Sequence, residues 1–291
     1  MVFKRLRVYG QLVMFEHTLF AMPFALAAVF MASSGVPRID KLFWVILAMV
    51  GARNGANALN RLIDADIDSK NLRTATRHIP TGIVKKKEAF ILTVICFIIF
   101  VFSAYMLNII CVILLPIPLA MFIAYSFTKR FTWLCHLILG ITIGGAPVGA
   151  WLAVTGKLDF SLLPSFLMGG ALALWIAGFD IIYSTQDVEF DHENHLHSIP
   201  ITFGISKSLK ISTLLHIVSV ILLVLMPLFI KLGIIYYIGI IIISALLYYE
   251  HSIVSPDHLA SVKIASYSIN QIIGFVFLIF TVSDIIVRSM L

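Results

Sequence analysis

Long apolar runs, each closed by a short polar stretch, succeed one another from about residue 10 to residue 288. An α-helix needs roughly 20 mostly apolar residues to cross a bilayer core. On that measure residues 10–33, 41–62, 88–107, 109–128, 133–155, 161–184, 207–231, 233–250 and 265–288 predict nine membrane-spanning helices. Whole segments are apolar around their circumference, so the helical period is faint within them, as it is in helices that face lipid. Only Leu107 and Asn108 separate the third and fourth runs, which demands a tight turn. Lys4, Arg5 and Arg7 ahead of the first run, with Ala25-Leu26-Ala27 inside it, give the outline of a signal peptide. Glu16 and His17 break its apolar centre, which favours an uncleaved first helix.

Composition narrows the class. The 291 residues are 60% hydrophobic and 12% charged, and the mean hydropathy is +1.01. A soluble domain could not solvate such a surface, whereas a polytopic all-α membrane protein turns it to lipid. Net charge +6 therefore reads as a topology signal, not as a nucleic-acid footprint. With nine spans, one side carries only Arg38, Lys41, Lys157, Lys231 and Arg288. Apart from Arg53, inside the second helix, every other lysine and arginine falls on the opposite side, which the positive-inside rule makes cytoplasmic. Cys96, Cys111 and Cys135 are scattered through apolar stretches at no metal-ligand or disulfide spacing, and read as small buried hydrophobes. No obligate protein partner is implied.

The cytoplasmic loops 62–87 and 185–206 carry the acidic clusters. Residues three and four apart share a helix face. On the second helix Arg53, Asn57, Asn60, Asp64 and Asp68 fall on one stripe, and on the sixth Asp180, Tyr183, Asp187 and Asp191 fall on another. Asp66 and Glu189 lie off the stripes and are left out of the site. The two helices are four spans apart and run the same way. Helices 1–4 and 5–8 thus form a weak internal repeat within a single domain of residues 1–291, with helix 9 unpaired, and the repeat turns the clusters face to face across a central cavity.

A single DxxxD at a helix end is ordinarily a solvated terminus. Two of them on same-side helices, flanked by asparagine and tyrosine, are harder to account for, because charge at a membrane boundary is costly without a partner. Carboxylates are hard donors that suit Mg²⁺, which binds through one or two of them together with water and substrate phosphates. Arg73, Arg77, Lys129 and Arg130 stand nearby in sequence and suit phosphate oxygens. His17, in the first helix, is a further candidate substrate contact.

At these positions the chain resembles the UbiA superfamily of intramembrane prenyltransferases. Asn60, Asp64 and Asp68 match its NxxxDxxxD motif, Asp187 and Asp191 its DxxxD motif, and Asp180 and Tyr183 the DxxY lead. Arg73-Thr-Ala-Thr-Arg77-His-Ile-Pro80-Thr-Gly82 and Tyr125-Ser-Phe-Thr-Lys129-Arg130 are similar to two further family elements. The resemblance implies nine helices around a central cavity, capped by the 2–3 and 6–7 loops. It implies metal and diphosphate binding by Asn60, Asp64, Asp68, Asp187 and Asp191. Arg73, Arg77, Tyr125, Lys129 and Arg130 become diphosphate contacts or leaving-group stabilisers. The segment from Gln186 through His197 to Gly204, with Phe15–Phe24, is similar to the 4-hydroxybenzoate polyprenyltransferase group, especially members tied to the futalosine route to menaquinone. That implies a polyprenyl diphosphate donor and an aromatic acid acceptor, 4-hydroxybenzoate nominally or a naphthoate-type acid instead. His197 stands where many ubiquinone-pathway enzymes have lysine.

Two other readings are weighed against it. A CDP-alcohol phosphatidyltransferase needs one compact aspartate signature, which is absent here. A cation-coupled transporter would place its polar breaks at the midplane, and only Pro116, Pro118 and Pro147 speak for that.

Overall fold

Eight helices among the described residues are long and apolar enough to cross a membrane, and a ninth, shorter one stands on the remaining predicted run. The structure, a computed structural model, describes residues 2–14 and 18–290. Helix α1 (Val2–Leu12) precedes the first membrane helix α2 (Thr18–Ser33). Then come α3 (Ile39–Ile63), the short α4 (Ala65–Asp68), α5 (Lys86–Leu107), α6 (Ile109–Leu114) and α7 (Pro116–Thr128). The second half holds α8 (Cys135–Thr155), α9 (Leu163–Ser184), the short α10 (Val188–Glu193) and α11 (Ile199–Phe203), α12 (Ile205–Leu225), α13 (Ile234–Ser252) and α14 (Asn270–Met290).

The first run differs from its expectation. One helix was expected over 10–33, but α1 stops at Leu12 and Met14 takes a positive φ of 48°. The cause is the amphipathic, basic character of α1. Its Val8, Tyr9 and Leu12 cover Ala65, Ile79, Val84 and Ala89, and Arg5 pairs with Glu88 at 3.6 Å. These contacts suit it to the loop between α3 and α5 better than to lipid. Glu16 and His17 lie outside the described residues.

Asn108 makes the tight turn between the third and fourth runs. Its side-chain oxygen accepts from the Cys111 N–H at 3.0 Å, capping α6. Its amide nitrogen donates to the carbonyls of Leu152 and Ala153 at 2.9 and 3.2 Å, so one residue ends α5, starts α6 and ties down the last turn of α8.

Around the bundle α3 packs on α5 and α7, α7 on α8, α8 on α9, α9 on α12, α12 on α13, α13 on α14 and α14 on α2, while α2 meets α3 to close the ring and packs on α8 across it. Hydrophobic exclusion cannot drive helices together within lipid, so close backbone approach matters more. A Cβ built on Gly144 would stand 2.4 Å from the Gly169 carbonyl, and one on Gly140 2.2 Å from that of Ala173, so only glycine fits where α8 crosses α9. Deeper in, Phe24 of α2 stacks on Phe277 of α14 with ring centroids 4.2 Å apart, and Trp175 of α9 lies 5.3 Å from Phe24.

Candidate active site

Both motifs sit where a membrane helix gives way to a tighter turn. Asp64 is the hinge between α3 and α4, at φ −89° and ψ 1°. Asp187 closes a 3₁₀ turn, Thr185–Asp187, between α9 and α10. The stripes expected on continuous helices are thus broken at each motif. The Asp68 N–H still donates to the Asp64 carbonyl at 2.8 Å, however, so the first motif keeps its helical step.

Asp64 and Asp68 are buried, 2% and 4% exposed, and each has cations to offset its desolvation. Lys129 lies 2.9 Å from Asp64 Oδ2 and Arg130 lies 3.3 Å from Oδ1. Asn60 donates to Asp64 Oδ2 at 3.1 Å. Arg77 pairs with Asp68 Oδ1 at 2.6 Å, while Asp68 Oδ2 is buried without a hydrogen-bond partner.

The second motif is joined directly to the loop of the first. Arg73 grips Asp187 with two parallel bonds, Nε to Oδ1 at 2.8 Å and Nη2 to Oδ2 at 2.5 Å. Its Nη1 donates to the Tyr183 hydroxyl, and Asn71 donates to Asp187 Oδ1 at 2.9 Å. Bidentate arginine–carboxylate geometry fixes orientation as well as distance. The sixth span runs from Phe160 to Glu193, 34 residues, well past the roughly 20 that a bilayer core needs, so α10 projects beyond it. There burial first, and then the charge of Asp187, push the Asp191 carboxyl up to about 6, against the pull of Lys129, Arg73 and His136.

The remaining candidates spread outward. Tyr125 donates to the Ala56 carbonyl at 3.4 Å. Asn57 donates to the Val13 carbonyl at 2.6 Å and so tethers the end of α1. Asp180 Oδ2 pairs with His136 Nδ1 at 2.7 Å. The His197 side chain is exposed; its backbone N–H donates to the Lys129 carbonyl at 2.7 Å, tying the loop after α10 to the loop after α7. Off the membrane, the exposed Asp66 pairs with Lys86 at 2.8 Å.

Three residues gain meaning only here. Asn71 is an ordinary loop residue in the sequence, and Tyr267 an ordinary aromatic one. Arg53 belongs to the first stripe without a partner in sequence. Its Nε is buried with no hydrogen-bond partner, and it lies within electrostatic reach of Tyr125, Tyr267 and Asp180.

Known proteins share this arrangement of chain. The model of the UbiA prenyltransferase family matches residues 21–278. The chain is 26% identical over 266 residues to the 4-hydroxybenzoate octaprenyltransferase of Francisella tularensis subsp. tularensis, covering 91% of this chain and 90% of that protein. To the protein of that name from Nitrosospira multiformis it is 30% identical over 227 residues, covering 78% and 77%. Among solved structures, the apo UbiA homologue from Aeropyrum pernix K1 superposes with a TM-score of 0.83 at 30% identity, covering 95% of this chain and 98% of that one. The fold is also that of a UbiA homologue from Archaeoglobus fulgidus bound to DMAPP and Mg²⁺, with a TM-score of 0.65 at 21% identity and coverage of 93% and 98%.

Proposed function

The chain belongs to the UbiA prenyltransferase family and is a multi-pass membrane transferase of prenyl groups; from that premise we propose that it moves a polyprenyl group from its diphosphate to an aromatic acid in respiratory quinone biosynthesis, with Mg²⁺ as cofactor. One observation carries this reading: the Arg73–Asp187 bridge ties the loop that follows the first carboxylate motif to the second motif. Arg53, on the same stripe as the first motif, adds an unpartnered buried N–H that suits an acceptor carboxylate. The relatives' names support the acceptor class, since they are called 4-hydroxybenzoate octaprenyltransferases.

The residues present fit Mg²⁺. The donor set is all oxygen, Asp68 keeps a buried carboxylate oxygen free, and Asp191 is a carboxyl with a like charge beside it. Among the described residues no group of three such side chains closes around one ion. That agrees with a metal which takes one or two carboxylates and leaves its other positions to water and phosphate. Asn60, Asp64 and Asp68 on one side, and Asp187 and Asp191 on the other, would hold it. When bound, the metal supplies Lewis-acid neutralisation of the leaving diphosphate.

The chain's own residues do the rest. Arg73, Arg77, Lys129 and Arg130 receive diphosphate oxygens as negative charge builds on them, an electrostatic contribution that grows toward the transition state. Arg53 pairs with the acceptor carboxylate and so sets the ring near Tyr125 and Tyr267. The allylic C1–O bond breaks, a bond forms between C1 and a ring carbon, and the ring then loses its proton. A bundle that excludes bulk water spares the allylic cation from hydrolysis. In this reading residues 1–291 form one domain of two pseudo-repeated halves plus a last helix, lie in a bacterial inner membrane, and open the site to the cytoplasm.

The test is a membrane assay with Mg²⁺ and labelled prenyl diphosphate, offering 4-hydroxybenzoate, dihydroxynaphthoate and futalosine-route acids in parallel. Labelled prenyl-4-hydroxybenzoate that vanishes in excess EDTA is the expected result. Prenylation of naphthoate-type acids alone would move the assignment to menaquinone biosynthesis, and full turnover in EDTA would remove the metal from the mechanism.

A further inference from the structure

Polar residues of α9, α13 and α14, unused by the chemistry above, converge on a single turn. Helix α14 is preceded by a π-helical turn, Ile264–Ile269. Such turns carry one residue more than an α-turn and are frequent at functional sites. Asn270, at the end of the turn and 0% exposed, uses the whole of its side-chain amide. Trp175 Nε1 of α9 donates to its Oδ1 at 2.6 Å. Its Nδ2 donates to Glu250 Oε2 of α13 at 3.1 Å and to the Ala265 carbonyl at 2.8 Å. Ala265 lies five residues before Asn270, the spacing of the π register, so the side chain closes that register from outside the backbone. Glu250 is itself 0% exposed, and its Oε1 has no partner. Fully buried polar groups in a membrane segment are expensive and mark function.

The turn carries Tyr267. Its ring stands edge-on to Tyr183, with centroids 5.3 Å apart. Tyr183 in turn receives the Arg73 hydrogen bond, and Arg73 holds Asp187. Tyr267 also lies within electrostatic reach of Arg53. It therefore stands where the acceptor anchor meets the diphosphate side of the site.

We propose that Asn270, clamped between Trp175 and Glu250, is a positioning residue that holds the π-turn and thereby keeps Tyr267 against Tyr183 at the acceptor end of the site. One residue of helix is about 100° of rotation. Without the amide, the Ala265 carbonyl loses its donor, the turn relaxes to α register, and Tyr267 swings off Tyr183. The use of Tyr267 for the acceptor rests on the reading under "Proposed function", while the geometry does not.

The experiment uses the full chain in nanodiscs. Asn270→Ala is expected to raise KM for the aromatic acid about tenfold, leaving kcat and the KM for prenyl diphosphate within about twofold. Tyr267→Leu should reproduce that pattern, and the double variant should be no worse than either single one. Glu250→Gln keeps an oxygen for the Asn270 N–H and should match the unaltered enzyme. Additive effects in the double variant, or a collapse of kcat in Glu250→Gln, would overturn the proposal. A readout that needs no acceptor separates it from the substrate assignment: ¹⁹F NMR of 3-fluorotyrosine placed at position 267. Tyr183→Leu should shift that signal when Asn270 is present and leave it in place in the Asn270→Ala background; a shift in both overturns the idea even if no aromatic acid is a substrate. Should Asn270→Ala fail to fold, Asn270→Leu, which also removes the Nδ2 donor to the Ala265 carbonyl but fills the space of the amide, takes its place in both arms.

Discussion

Asp64 and Asp66 are two residues apart, share a side-chain type, and differ in almost everything else. Asp64 is buried between Lys129, Arg130 and Asn60. Asp66 is 85% exposed at its side chain and pairs with Lys86, whose hydrogen bond holds its carboxyl below the usual range. Removing a group that acts on the developing charge costs about 10²–10³ in turnover. Asp64→Ala and Asp187→Ala are each expected to lose at least that much in steady-state prenyl transfer, while Asp66→Ala keeps near-full activity. Equal losses at positions 64 and 66 would mean that the buried set is not the working one. Arg53 is argued in the same way. A hydrogen bond to a charged partner contributes about 1.5–3 kcal/mol, so Arg53→Gln should raise KM for the aromatic acid by about 10–100-fold and leave the KM for prenyl diphosphate nearly unchanged. Kinetics with each substrate varied in turn check this.

Elements add constraints that single residues do not carry. Asn108 caps α6 and holds the end of α8 across 44 positions of sequence. Loss of an N-cap costs about 0.5–2 kcal/mol. Asn108→Ala should therefore lower the melting midpoint in detergent and leave kcat alone, since the turn lies at the opposite end of the membrane from the carboxylates. An unchanged melting curve would show the cap to be redundant. At the other end, the 3₁₀ turn at Thr185–Asp187 and the hinge at Asp64 let each motif leave its helix axis. This frees the loop after α4 to bring Arg73 onto Asp187, which a straight α3 with a rigid continuation would hinder.

Across the whole molecule, the ring of helices places both motif-bearing ends on one face, and α1 lies over the loop that carries Arg73 and Arg77. The positive-inside count supports the proposal that this face is the cytoplasmic one. Lys70→Cys should accordingly react with an impermeant maleimide only in inside-out vesicles, and Lys157→Cys only in right-side-out ones. Labelling in the reverse sense would invert the proposed orientation while leaving the chemistry untouched.

Hydropathy and spacing are local properties, and the sequence by itself determined what depends on them: apolar runs in their places, a tight turn at Asn108, two carboxylate motifs at helix ends, and a stripe that includes Arg53. Partner choice is not local. Arg73 and Asp187 are 114 residues apart; Asp180 is bound by His136, and Asn270 by Trp175 and Glu250. No periodicity records those pairings, because each carboxylate had several cations of equal chemistry within reach along the chain. Only the packing of α3, α9 and the loop after α4 selects among them. The same holds for α1, whose amphipathic face suits either lipid or protein until the apolar surface of Ile79 and Val84 is there to receive it.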